Sequence, residues 1–215
     1  MSITCLHTAQ GHVATFEGLL RAAGWGGDVV HLVHPDLLTR AQVSGIAAVQ
    51  ADVADIVAAH QGADALLCSC STLGPLIDAL ATGDRPLVRI DRPMMETAVG
   101  CAGRLLVVIC LASTQTATLG LLQQCAAERG RVCPVELLLC AAAWPLFEAG
   151  NMPAFLDEIA GAIRGALDQM PEVGAVILGQ ASMMGAAALL QDLDVPVLSS
   201  PRLAVGRAIE RARQK

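Results

Sequence analysis

Ala65-Leu66-Leu67-Cys68-Ser69-Cys70-Ser71-Thr72-Leu73-Gly74 is the stretch on which the fold turns. Its first residues form a short apolar run after Gly62 and Asp64, the pattern of a buried strand. Pro75-Leu76-Ile77-Asp78-Ala79-Leu80 then reads as a helix, with Pro75 suited to a first helical position. Cys70 therefore falls where a strand gives way to a helix. Backbone N–H groups at such a junction favour an anion, which can be a cysteine thiolate or a substrate carboxylate.

Working outward, the same plan returns at residues 174–182, GAVILGQAS. At an offset of 110, Ala65 falls on Ala175, Cys70 on Gln180, Thr72 on Ser182 and Pro86 on Pro196. A second echo sets Ile3-Thr4-Cys5-Leu6-His7-Thr8 against Val108-Ile109-Cys110-Leu111-Ala112-Ser113, at an offset of 105. Two ordered echoes predict a duplicated α/β lobe. Strands are predicted at 3–7, 29–34, 65–68, 86–90, 105–111, 135–140, 173–178 and 195–198. Helices are predicted at 11–23, 46–60, 75–80, 93–101, 114–129, 153–170, 183–193 and 203–213, with 36–44 read as a patternless connection and 144–150 as short or irregular. Alternation of this kind implies parallel sheets covered on both faces by helices. The division expected is 1–100 with 201–215 as one Rossmann-like lobe and 101–200 as the other.

Hydrophobic residues make up 54% of the 215 and charged residues 16%, enough apolar material for a large core. A net charge of −6 and an aromatic content of 2% argue against nucleic acid as a partner. The longest apolar runs, 105–112 among them, are far short of the ~20 residues of a membrane helix. The first residues lack the basic and apolar regions of a signal peptide, so a cytoplasmic protein is expected. Eight cysteines then stand as thiols. Cys68 is expected in the core. The Cys68–Cys70 pair has no second pair or neighbouring His pair to complete a metal site, and His31 and His34, three apart in a strand, point to opposite faces. No metal is expected.

The quoted pieces resemble the aspartate/glutamate/hydantoin racemase superfamily, together with Asp91-Arg92-Pro93-Met94 and the continuation Gln180-Ala181-Ser182-Met183. The resemblance implies two similar lobes related by a pseudo-two-fold axis, with the active site in the cleft between them. It also implies cofactor-independent chemistry on a small carboxylate or amino-acid derivative. Family racemases use one cysteine from each lobe as acid and base. By position Cys70 matches the first, whereas Gln180 stands in place of the second, and an amide neither takes nor gives a proton at ordinary pH. The expected catalytic residue is Cys70. The expected substrate-binding residues are His7, Thr8, Ser71, Thr72, Ser113, Thr114, Gln180, Ala181 and Ser182. For His7 a packing role stands beside the site role, and for the hydroxyl residues helix capping stands beside carboxylate binding. Three readings follow: a one-thiol isomerase, a decarboxylase or lyase, and a small-carboxylate-binding protein without chemistry. A homo-oligomer is expected.

Overall fold

The computed structural model describes residues 1–81 and 86–214. Its elements run β1 (Ser2–His7), α1 (Gly11–Ala22), β2 (Asp28–Val33), α2 (Pro35–Ser44), α3 (Gln50–Ala59), β3 (Ala65–Cys68), α4 (Gly74–Leu80), β4 (Leu87–Arg89) and α5 (Arg92–Gly100). They continue with β5 (Arg104–Ile109), α6 (Gln115–Glu128), β6 (Val135–Leu139), α7 (Trp144–Glu148), α8 (Met152–Gln169), β7 (Val173–Leu178), β8 (Val197–Ser199) and α9 (Ser200–Arg213). Two compact units result: Met1–Pro93 with Pro201–Lys215, and Met94–Ser200. Each holds a four-stranded, all-parallel sheet, in the order β2-β1-β3-β4 in the first and β6-β5-β7-β8 in the second. No helix among the described residues is long and apolar enough to cross a membrane.

In the first unit β1 and β3 are buried along nearly their whole length, as central parallel strands are. One face, carrying Leu6, Leu66 and Cys68, packs on Leu37 and Ala41 of α2 and Val53 and Val57 of α3. Residues of the other face alternate with these, and His7 there meets Phe16 of α1 with ring centroids 5.4 Å apart. In the second unit Leu106, Val108, Val176 and Leu178 pack on Phe155, Ile159 and Ile163 of α8.

The ladders correct one of the two echoes. Ile3 pairs with Ala65 and Leu105 with Ala175, so the third strands of the two units are offset by 110 (175 less 65) and the first strands by 102 (105 less 3). The strand-end bonds agree: Ser69 N–H donates to Leu6 O, and Gly179 N–H to Val108 O. The offset of 105 was three residues out, because apolar strands match one another at several registers and only the ladder selects one. His7 thus corresponds to Ile109 and Thr8 to Cys110, not to Ser113.

Other departures are local. Residues 36–44 are not a connection but most of α2, whose Pro35 occupies its first turn and opens the helix instead of merely closing β2. Residues 46–49 form a 3₁₀ turn before α3, so 46–60 is not one α-helix. The expected α-helix at 183–193 is a 3₁₀ helix, Ala181–Leu190, with Met183 and Ala186 buried one 3₁₀ turn apart. Leu156 of α8 packs so closely on it that a Cβ at Gly185 would stand 2.6 Å from Leu156 Cδ1. Near the end of α9, Arg211 and Arg213 are exposed, and Lys215 lies outside the described residues.

Candidate functional site

β3 ends at Cys68, and Cys70 follows with extended backbone (φ −105°, ψ 112°). A single 3₁₀ turn, Ser71–Leu73, comes next, and only then α4. This turn, which precedes the helix expected at 75–80, presents its first N–H groups at the strand end, where such groups have no acceptor within the turn. The Cys70 side chain packs with Leu6, Cys68 and Leu73 and is 7% exposed. Ser71 is exposed and Thr72 half-buried. The Cys68 thiol donates to Cys70 O at 3.6 Å, and burial pushes its pKa up, which leaves it a core group.

A buried cation holds this turn from below, and the sequence reading missed it. Arg89, at the end of β4, bonds Asp78 of α4 at 2.6 Å and Asp91 at 2.7 and 2.9 Å. Arg92 reaches the same Asp78 at 2.9 Å. Burial works to raise the Asp78 pKa, but hydrogen bonds from Arg92 and Arg89 outweigh it and hold the carboxyl below its ordinary value. Asp91 is an ion-pair partner of Arg89, lying just before α5. The guanidinium lies against the backbone of Gly74: a Cβ there would stand 2.6 Å from its Cζ, Nε and Nη2 atoms. That contact explains the glycine after Ser-Thr-Leu.

His7 is fully buried at the end of β1. Its Nδ1 lies 2.7 Å from Ser69 Oγ and its Nε2 lies 2.8 Å from His31 Nδ1. His31 Nε2 meets Glu17 Oε2 at 3.1 Å, and His12 Nδ1 lies 3.2 Å from Ser69 Oγ. Burial, then the nearby His31 and His12, lower the His7 pKa to about 4, so its ring is neutral at neutral pH. The His31–His34 comparison missed this because His31's partners are on β1 and α1, while His34 stands outside β2 at the start of α2. Thr8 is buried beside His7 in the chain.

In the second unit Gln180 has the extended backbone (φ −127°, ψ 139°) and the place before a 3₁₀ helix that Cys70 has in the first. Its Oε1 accepts the Cys110 N–H at 2.6 Å. Ala181 and Ser182 open the 3₁₀ helix and are half-buried. Ser113 and Thr114 lie in the turn Ala112–Thr114, where Thr114 Oγ1 donates to Leu111 O at 2.8 Å. Neither Thr114 nor Gln180 makes a side-chain cap bond, and the cap bond of α8 comes instead from Asn151. Burial pushes the Cys110 pKa up to about 12 and, with Glu158, that of Cys140 up to about 11. The first unit thus brings Cys70, Ser71 and Thr72 into one turn and His7 beside Ser69. The second ties Gln180 to Cys110 and keeps Ser113 and Thr114 in a separate turn.

No curated protein gives a significant match. Among solved structures the chain is similar to allantoin racemase from Klebsiella pneumoniae, with a TM-score of 0.70 and 21% identity over 100% of this chain and 88% of that one. Glutamate racemase from Bacillus anthracis gives 0.70 and 14% over 99% and 82%. Aspartate racemase from Picrophilus torridus gives 0.68 and 12% over 99% and 94%. At these identities the likeness is one of fold. The sequence profile of the Asp/Glu/Hydantoin racemase family matches residues 29–208. That match spans most of the sequence, and the chain belongs to the Asp/Glu/hydantoin racemase family.

Proposed function

We propose that the protein is a cofactor-independent isomerase acting on a small carboxylate or amino-acid derivative, with Cys70 as its one proton-transferring thiol. The observation that carries this reading is the unequal filling of one backbone position. Cys70 and Gln180 each stand, extended, between a third strand and a 3₁₀ segment. One brings a group that can exchange a proton. The other brings an amide whose oxygen is already bound to the Cys110 N–H. Racemisation through two bases needs a proton carrier on each side of the substrate carbon. A single thiol can remove a proton and return it from one side, or protonate an enolate left by bond migration or loss of carbon dioxide. The N–H groups of the Ser71–Leu73 turn support the negative charge of a carboxylate or enolate.

The test is incubation with aspartate, glutamate, hydantoins and allantoin in heavy water. The expected result is deuterium incorporation, or isomerisation or decarboxylation, without racemisation, lost in Cys70→Ser by ~10²–10⁴-fold. Efficient racemisation by the unaltered chain, or full activity in Cys70→Ser, would overturn the reading. The low exposure of Cys70, 7%, favours a second reading, a carboxylate-binding protein without chemistry. Thiol reactivity separates the two, since binding alone requires no reactive cysteine.

A further inference from the structure

Outside the Cys70 turn, one cluster of side chains has a composition that the fold does not require. Cys5 and His7 are two apart in β1 and so share a face of the sheet, and His31 of β2 is the register partner of Cys5. Leu6, Cys68 and Cys70 pack together on the opposite face. Cys5 Sγ and the facing nitrogens of His7 and His31 all lie within 4.8 Å of one another. The second unit supplies an internal control. With the first strands offset by 102, Cys5 corresponds to Val107 and His7 to Ile109, and the register partner of Val107 is Leu137. There the same positions hold three apolar side chains, and the sheet is built equally well.

The outward nitrogens of the two imidazoles are engaged in a way that fits metal ligation. His7 Nδ1 is bound to Ser69 Oγ at 2.7 Å and His31 Nε2 to Glu17 Oε2 at 3.1 Å. A ligating histidine characteristically uses its second nitrogen on a carboxylate or other oxygen, which fixes the ring's orientation. The inward pair, His7 Nε2 and His31 Nδ1, is 2.8 Å apart. Two nitrogens on one tetrahedral zinc, at ~2.0–2.1 Å each, stand roughly 3.3 Å apart, so the rings need part by only about half an ångström.

We infer that Cys5 Sγ, His7 Nε2 and His31 Nδ1 form a site for a divalent transition metal, zinc by its donor set, that ties β1 to β2. One thiolate and two imidazoles suit an ion of borderline softness and disfavour magnesium or calcium. Cys5 enters as thiolate, and its proton passes to solvent as the metal–sulfur bond forms. The fourth position is left to water, reached on the side of the half-buried His31. The site uses no residue of the Cys70 turn and does not depend on the proposed reaction.

The test is titration of the metal-stripped full chain with Co²⁺, followed by absorption. The expected result is one Co²⁺ per chain, with a thiolate-to-cobalt charge-transfer band and the intense visible bands of a tetrahedral ion. Cys5→Ser should abolish the charge-transfer band, His31→Gln should weaken binding, and Glu17→Gln should weaken it by ~10–100-fold. Cys101→Ser and Cys133→Ser should change nothing. Should Cys5→Ser not fold, X-ray absorption on the zinc-loaded wild type decides, with one sulfur and two imidazoles expected. No thiolate band, a band that survives in Cys5→Ser, binding unweakened in His31→Gln, or a sulfur-free or two-sulfur coordination shell would overturn the assignment.

Discussion

Gly74→Ala is the sharpest probe of how the Cys70 turn is held. Gly74 has helical dihedrals (φ −50°, ψ −45°), so on backbone grounds alanine should stabilise α4 by ~0.5–1 kcal/mol. The space argues the other way, because the new Cβ would stand 2.6 Å from three atoms of the Arg89 guanidinium. That group is not a free side-chain end. Asp78 and Asp91 grip it at 2.6 to 2.9 Å, and Arg89 is 7% exposed. Overpacking of this kind costs ~1–3 kcal/mol, and losing a hydrogen bond to a charged partner costs ~1.5–3 kcal/mol. The clash should win, leaving Gly74→Ala less stable by up to ~2.5 kcal/mol, the overpacking cost less the helix-propensity gain. In an Arg89→Ala background the obstacle is gone, and the same substitution should become stabilising by ~0.5–1 kcal/mol. The assay is urea unfolding followed by the fluorescence of Trp25, which is buried in the first unit, in a Trp144→Phe background that silences the second. A change of sign between the two backgrounds is the expected result. Equal effects in both, or stabilisation in the presence of Arg89, would refute the reasoning.

The Asp78 carboxyl, held below its ordinary pKa, contributes stability that is present above the unfolded value near ~4 and lost as pH falls through the lower folded value. Asp78→Asn should therefore be less stable at neutral pH, with the gap to wild type closing on acidification, as read by Trp25 fluorescence; a gap that stays constant with pH would sink the idea. In limited iodoacetamide treatment Cys70 should be modified before the half-exposed Cys101 and Cys133, as read by mass spectrometry; Cys70 reacting last in the folded chain would favour the binding-only reading. Gln180→Cys should destabilise the second unit by ~1–3 kcal/mol because the Cys110 N–H loses its acceptor. Trp144 fluorescence in a Trp25→Phe background checks this, and an unchanged urea midpoint would show that the bond carries no weight.

The parallel sheets were legible because β3, β5 and β7 are largely apolar runs flanked by Gly, Asp or Pro, and β1, which carries Thr4 and His7, is still followed by a helical pattern on its C-terminal side. Residues 35–44 were not, for two reasons. Their helix buries only Leu37 and Ala41, too little pattern to see, and a proline that opens a helix looks the same in sequence as one that ends a strand. Cys70 was legible since its setting is local, a strand, a turn and a helix in succession. Arg89 was hidden, because a cation in a three-residue strand becomes a buried anchor only when Gly74 leaves its space and Asp78, eleven residues earlier, turns toward it. His7, His31, Ser69 and Glu17 come from four separate elements or turns. Only the register of β1 against β2 and β3 brings them together, and nothing in the spacing of histidines along the chain encodes that register.

The comparison of the two units separates what the fold needs from what it carries. By the ladder offsets, His7 corresponds to Ile109, Ser69 to Gly179, Cys70 to Gln180 and Arg89 to Ser199. Gly179 is itself forced, since a Cβ there would stand 2.9 Å from Ile109 Cγ2 and Val108 O. The His7–Ser69 hydrogen bond of one unit is thus replaced in the other by an isoleucine packed over a glycine. Both solutions close the same strand ends, so a buried imidazole is not a requirement of the sheet. A fully buried histidine must lose its hydration and find partners for two nitrogens, a cost that the apolar solution avoids. The first unit bears that cost at His7 and again at Arg89, on either side of the Cys70 turn, while the second bears neither. On the proposed function, this unequal distribution of expensive polar groups on one repeated backbone supports placing the chemistry in the first unit, at the Cys70 turn that follows β3.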